Sequence, residues 1–211
     1  CAALGLFLFS LNYGLFYTAS LTLTTGLISV VFSTMVFWNA LGANWFLKQP
    51  LNLRALLGGS IGFFGLMVLF RVELFEFSWV STGSIALLLS LLGTLSASFG
   101  NLLSAILQER ALTVWNSTAF GMMYGTILIF IFALANGYPI RFDFSLTYVA
   151  SLFYLVFIGS VIAFGSYLTL IGRVGPGRAA YTTVSFPVVA IIVSVIFEGY
   201  KLSLSALFAF S

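Results

Sequence analysis

The chain has 211 residues, 61% of them hydrophobic and 6% charged, with a mean hydropathy of +1.15. Soluble domains carry about 25% charged residues, so this chain cannot clothe a water-facing surface. Its net charge of +3 comes from eight Lys+Arg and five Asp+Glu set at the ends of apolar runs, which points to membrane topology and away from nucleic acid.

Apolar segments are predicted at residues 2–20, 26–47, 54–71, 82–107, 118–136, 147–171 and 178–198, with an incomplete eighth from 202. The fold class is therefore all-α, a polytopic transmembrane helix bundle. The first segment carries Asn12 and Tyr13 well inside its apolar run, and the second carries Asn39. Each amide brings donors and acceptors that lipid cannot satisfy. Taken singly, each reads as an interhelical hydrogen bond. Taken with Asn101 of the fourth segment, they read as a group of which at least one faces an aqueous path.

The third segment has a small-residue face at Gly58, Gly59, Gly62 and Gly65, which suits close packing within the protomer. On the fourth, Ser98, Asn101 and Gln108 trace one face, a stripe suited to lining a pore. Tyr124 of the fifth lies deep enough to reach a cavity, as Tyr13 does. Tyr17 and Tyr167 sit nearer the segment ends, where tyrosine commonly anchors at the interface.

The seventh segment holds a proline in mid-run, Pro187, one turn after Thr183. Proline removes a backbone donor and disturbs the carbonyl one turn earlier. Tyr181, Thr182 and Ser185 are local partners for the freed groups. The kink is either a fixed feature of packing or a hinge, with Tyr181 and Ser185, at i and i+4, facing a polar cavity.

The chain has no His, one Cys and one Asp. Histidine-based metal sites and His-dependent triads cannot be assembled from these residues, so no catalytic group, metal or cofactor is expected. No ionisable residue lies in the middle of a span, and such a pathway suits neutral or zwitterionic solutes. The expected partners are a small solute and the lipid bilayer, without nucleic acid; a homodimer is left open. Counting Lys and Arg on alternate connections puts Lys48, Arg54, Arg110, Arg173 and Arg178 inside, against Arg71, Arg141 and Lys201 outside. The start of the first segment is then cytoplasmic.

Residues 16–57 echo residues 167–208: "FYTASLTLTTGLISVVFSTMVFW" beside "YLTLIGRVGPGRAAYTTVSFPVV", and "FLKQPLNLRALLG" beside "FEGYKLSLSALFA". Five segments separate equivalent points, so the second copy enters the membrane from the opposite face. Inverted repeats of this kind occur in transporters whose sites lie at the repeat interface.

"AAYTTVSFPVVAIIVSVIFEGYKLS" resembles the end of the second repeat in the drug/metabolite transporter superfamily, EamA-like branch, with Ala179, Ala180, Pro187, Glu198 and Gly199 at the matching positions. "GNLLSAILQERALTVWNSTAFGMMYG" is similar to the start of that repeat, and "TTGLISVVFSTMVFWNALGANWFLKQPLNLRALLGGSIGFFGLMVLF" to the end of the first. Thr34 stands where many first repeats have Pro, and Gln49 where many have Glu. The resemblance implies ten helices in two inverted five-helix repeats. This chain would then hold helices three to nine and part of ten, without the start of the first repeat or the end of the last helix. Residues 1–75 would be the last three helices of the first repeat and residues 80–211 the second. It also implies a multi-pass protein of the bacterial inner membrane that exports small amino-acid-like metabolites by alternating access. A non-transporting scaffold or sensor is the alternative reading, and an intramembrane enzyme is disfavoured by the missing His and the single Asp.

Overall fold

A computed structural model describes residues 1–71, 75, 81–139 and 142–185. Among them every regular element is helical. Among the described residues five helices are long and apolar enough to cross a membrane: α1 (Ala2–Ser20), α2 (Thr25–Leu47), α4 (Ser81–Glu109), α5 (Val114–Ala135) and α6 (Leu146–Val174). A shorter apolar helix, α3 (Leu53–Leu69), lies between α2 and α4. The last described element is one turn, α7 (Pro176–Ala179), continued by a 3-10 turn over Ala180–Val184. The predicted segments match these helices closely, the largest offset at a start being 118 against Val114. The rest of the seventh segment, with Pro187, and the eighth lie outside the described residues.

Local chemistry explains where the helices start. Thr24, Asn52, Thr113 and Ser145 have extended backbones, and each side-chain oxygen accepts from an N–H three residues on, that of Leu27, Ala55, Asn116 or Tyr148. This supplies one of the donors a helix start leaves unpaired. Ser145 is braced in turn by Asp143, whose two carboxylate oxygens accept from its N–H and its hydroxyl at 2.8 Å each. Those two bonds hold the exposed Asp143 carboxyl below its ordinary pKa. At the far end of α6, Gly175 adopts φ 84°, a conformation open to glycine, and turns the chain into α7.

Two helices are locally over-wide and one is broken. α1 is π-helical over Phe7–Leu11, and α6 over Leu155–Ile162. Ser96 of α4 donates to the Phe7 carbonyl at 2.7 Å, and Ser160 donates to Leu155 O at 3.2 Å. Both widened turns thus have a hydroxyl on a backbone oxygen. α2 breaks at Thr34 without a proline. Its N–H reaches Val31 O and its carbonyl takes Phe37 N–H, both three residues away. Its hydroxyl donates to Val31 O at 2.6 Å and accepts from Trp38 Nε1.

α4 is the centre of the bundle, in contact with α1, α2 and α6. The residues it buries are mostly small or weakly polar, among them Ser90, Thr94, Ala97, Asn101 and Ser104 at alternating spacings of four and three. Such a stripe lets neighbouring helices approach closely where no hydrophobic effect drives them together. The same logic joins α1 to α5, where Gly5 faces Gly121 and Gly125. On α3, Gly58 meets the Tyr181 ring and Gly59 meets Val36 of α2, so these two glycines pack within the protomer.

Candidate functional site

A cavity of about 250 Å³ lies inside the bundle. α1 contributes Leu8 and Asn12, one at its widened turn and one just after it. Phe32 and Met35 come from α2, on either side of the break at Thr34. α4 supplies Ala97 and Asn101. α6 supplies Gly159 from its own widened turn, then Ala163, Phe164 and Tyr167. Thr183 closes the ring from the 3-10 turn. Irregular turns of this kind recur at functional sites, and here both wide turns and the helix break border one space.

A vestibule of about 600 Å³ adjoins it, lined by Tyr13, Tyr17 and Ser20 of α1 and by Thr25 and Ser29 of α2. Asn12, Phe32 and Phe164 line both spaces and form the neck between them. At the opposite end a cleft of about 520 Å³ lies among Gln49, Gln108, Glu109 and Arg173. Packed residues, including Leu168, Ile171 and Ala179, fill the core on that side. Asn39 adds a polar tie: fully buried, it donates from Nδ2 to Pro176 O at 3.3 Å, joining α2 to α7. The central cavity is thus open towards the 20–25 end and packed shut towards the 48–52 and 173–178 end.

The polar groups of the cavity are few. Asn12 is 8% exposed and donates to Leu8 O at 3.1 Å. Asn101 is 1% exposed, with Nδ2 at 3.2 Å from Tyr167 Oη and 3.4 Å from Met35 Sδ. Among the described residues Oδ1 of each has no hydrogen-bond partner. Among the described residues no charged side chain lines the cavity or the vestibule. Among the described residues no three His, Cys, Asp or Glu side chains come together to hold a metal.

Of the residues singled out in the sequence, the structure brings Asn12 and Asn101 to the cavity and Tyr13 to the vestibule. Asn39 lies on the closed side, bonded to Pro176. Ser98 is buried but lines neither space. Tyr124 is 39% exposed on α5, its Cβ beside Gly5. Tyr181 is 44% exposed against Gly58, and Ser185 is exposed. Sequence reasoning passed over Phe32, Met35 and Phe164, and read Tyr167 as an interfacial anchor. For Tyr167 a signal existed: α6 runs to Val174, seven residues or roughly two turns further, which puts this tyrosine inside the span. The others are ordinary apolar residues whose role only packing reveals.

The family model described as the EamA-like transporter family matches residues 84–211, more than half of the chain. Comparison with curated proteins gives no match.

Proposed function

From membership of the EamA-like transporter family, to which this chain belongs, we propose that the central cavity carries small neutral or zwitterionic, amino-acid-like metabolites across the bacterial inner membrane by alternating access, in the export direction. One observation carries this reading. The echo aligns residue 16 with residue 167, an offset of 167 − 16 = 151. At that offset Leu8 pairs with Gly159, Asn12 with Ala163 and Phe32 with Thr183, and all six line the one cavity. Phe7–Leu11 falls on 158–162, within the second wide turn. A cavity walled by equivalent positions of two copies is what an inverted-repeat transporter places at its repeat interface.

The uncharged lining among the described residues favours solutes without net charge, and the path open at one end and packed at the other fits one limb of an alternating cycle. In this reading residues 1–75 and 80–211 are the two repeat portions. Closing the vestibule would involve Phe32 and Phe164 at the neck, while opening the other side would part Asn39 from Pro176. The test is exchange of labelled amino acids in proteoliposomes holding the full-length protein. Exchange above protein-free vesicles is expected, falling at least about fivefold in Asn101→Leu, since a buried hydrogen bond to a polar or charged solute is worth roughly 1–3 kcal/mol. No exchange of any solute in the panel would contradict the proposal.

The five-to-three bias of basic residues supports an outward-facing vestibule. In a Cys1→Ser background, an impermeant maleimide added outside should label Tyr138→Cys, which is 60% exposed in its native form, and spare Leu112→Cys, which is 41% exposed. The reverse pattern would invert the orientation.

A further inference from the structure

We propose that the solute's second entrance, shut in this structure, opens along Leu168 and Ile171 of α6, Pro176 of α7 and Ala180 of the 3-10 turn, which are packed here as the counterparts of the open vestibule. The inference rests on the transport reading of the cavity and names the path of the opposite state.

At the echo's offset of 167 − 16 = 151, the positions around the central cavity keep their facing. Leu8 and Gly159 line it together, as do Asn12 and Ala163. Roughly one to two turns further along the same two helices, the facing is exchanged. Tyr17 is 70% exposed and lines the vestibule, whereas its counterpart Leu168 is 0% exposed in the packed core. Ser20 lines the vestibule, whereas Ile171 is 1% exposed in that core. The next elements repeat the exchange: Thr25 and Ser29 of α2 line the vestibule, and Pro176 and Ala180 are buried. The converse holds as well, since Val30 is buried where Tyr181 is exposed, and Leu23 is buried where Val174 is exposed. A shift in register would turn every pair alike, by about 100° per residue. It cannot leave the cavity pairs facing together while exchanging the others.

Alternating access in a protein of inverted repeats moves one repeat against the other around a fixed site. The two copies then trade arrangements: the second holds here the packing that the first takes up when the vestibule shuts. The trade brings Leu168, Ile171, Pro176 and Ala180 to solution and buries the vestibule lining. The two entrances differ in chemistry. Tyr17, Ser20, Thr25 and Ser29 present hydroxyls where the second copy has only apolar side chains. Apolar groups gain by leaving water, so the arrangement seen here is the resting one and the opposite opening is the minor state.

The experiment places single thiols in a Cys1→Ser background of the full-length protein, in vesicles of one orientation, with an impermeant thiosulfonate added to each face in turn. Ser20→Cys should react from one face, and Leu168→Cys and Ile171→Cys from the other. The latter two should react at least about tenfold more slowly than Ser20→Cys, because a minor state is populated to at most about 10%. They should still react at least about tenfold faster than Leu4→Cys, whose site never opens in this scheme. Leu4 is 0% exposed in the same packed core, but it is held beside Gly121 of α5. Where neither α6 variant folds, Ala180→Cys, which adds only a sulfur atom, takes their place. Reaction from the same face as Ser20→Cys overturns the proposal, as does a rate equal to that of Ser20→Cys or of Leu4→Cys. Amino-acid exchange with these thiols unreactive would refute the second entrance and leave the transport reading. Reaction from opposite faces without exchange of any solute would do the reverse.

Discussion

Gly159→Phe should abolish solute exchange while leaving the amount and melting temperature of folded protein unchanged. Gly159 sits in the wide turn of α6 and lines the central cavity. A Cβ built there meets only Leu155 Cδ2, at 3.9 Å, which is ordinary contact. The new Cβ therefore displaces no packed atom, and removing a glycine from a helix interior favours the helix by up to about 1 kcal/mol. The added ring, however, takes up part of the space of about 250 Å³ proposed for the solute. Exchange should fall by at least about tenfold, the effect of losing 1.4 kcal/mol of binding. Proteoliposome exchange normalised to folded protein checks both halves. Full activity in a folded Gly159→Phe protein would take the cavity off the solute's path.

The opposite outcome is expected at Gly5. Here a Cβ would stand 2.5 Å from the Gly121 carbonyl oxygen and 2.9 Å from Gly125 N, both backbone atoms that no rotamer change can move. Gly125 is as tightly held from its own side, with the Phe9 Cβ at 2.7 Å and the Gly5 carbonyl at 3.0 Å. Gly5→Leu must push α1 away from α5, and overpacking of this kind costs up to ~3 kcal/mol or more. The folded yield in detergent should collapse and the melting temperature of any remainder should drop. Gly14→Ala is the control on the same helix, since nothing lies within 4 Å of a Cβ there. Equal stability of Gly5→Leu and Gly14→Ala would contradict the α1–α5 packing.

Depth in the membrane was legible in the sequence, and facing was not. Hydropathy alone located α1, α2, α4, α5 and α6, because a span must be apolar along its whole length and its ends must carry the polar residues. Asn12 and Asn101 were legible for the same reason: an amide in an apolar run has few places to go. Which side of a helix looks inward depends on partners that composition does not name. Ser98 and Ala97 are neighbours on α4, and only the second lines the cavity. Small residues are acceptable on every side of a central helix, so their spacing could not choose between them. Tyr124 had the right depth, yet α5 turns Gly121 and Gly125 to α1 and leaves the tyrosine beside that contact. Tyr181 found a glycine to cover, Gly58 on α3, a pairing across more than 120 residues that no local pattern announces. The Thr34 break was hidden by the absence of proline. A threonine hydroxyl bonded to Val31 O tightens the turn without the usual residue signal.

The central claim is that water and solute reach the cavity through the vestibule. It is tested most directly by placing a single thiol there, Ala163→Cys in a Cys1→Ser background, since Ala163 lines the cavity and is exposed. A small impermeant thiosulfonate added to the outer face should react with that thiol in intact vesicles, and a transported solute should slow the reaction. A thiol that stays unreactive from the outer face, or reacts at the same rate with saturating solute present, would contradict the account.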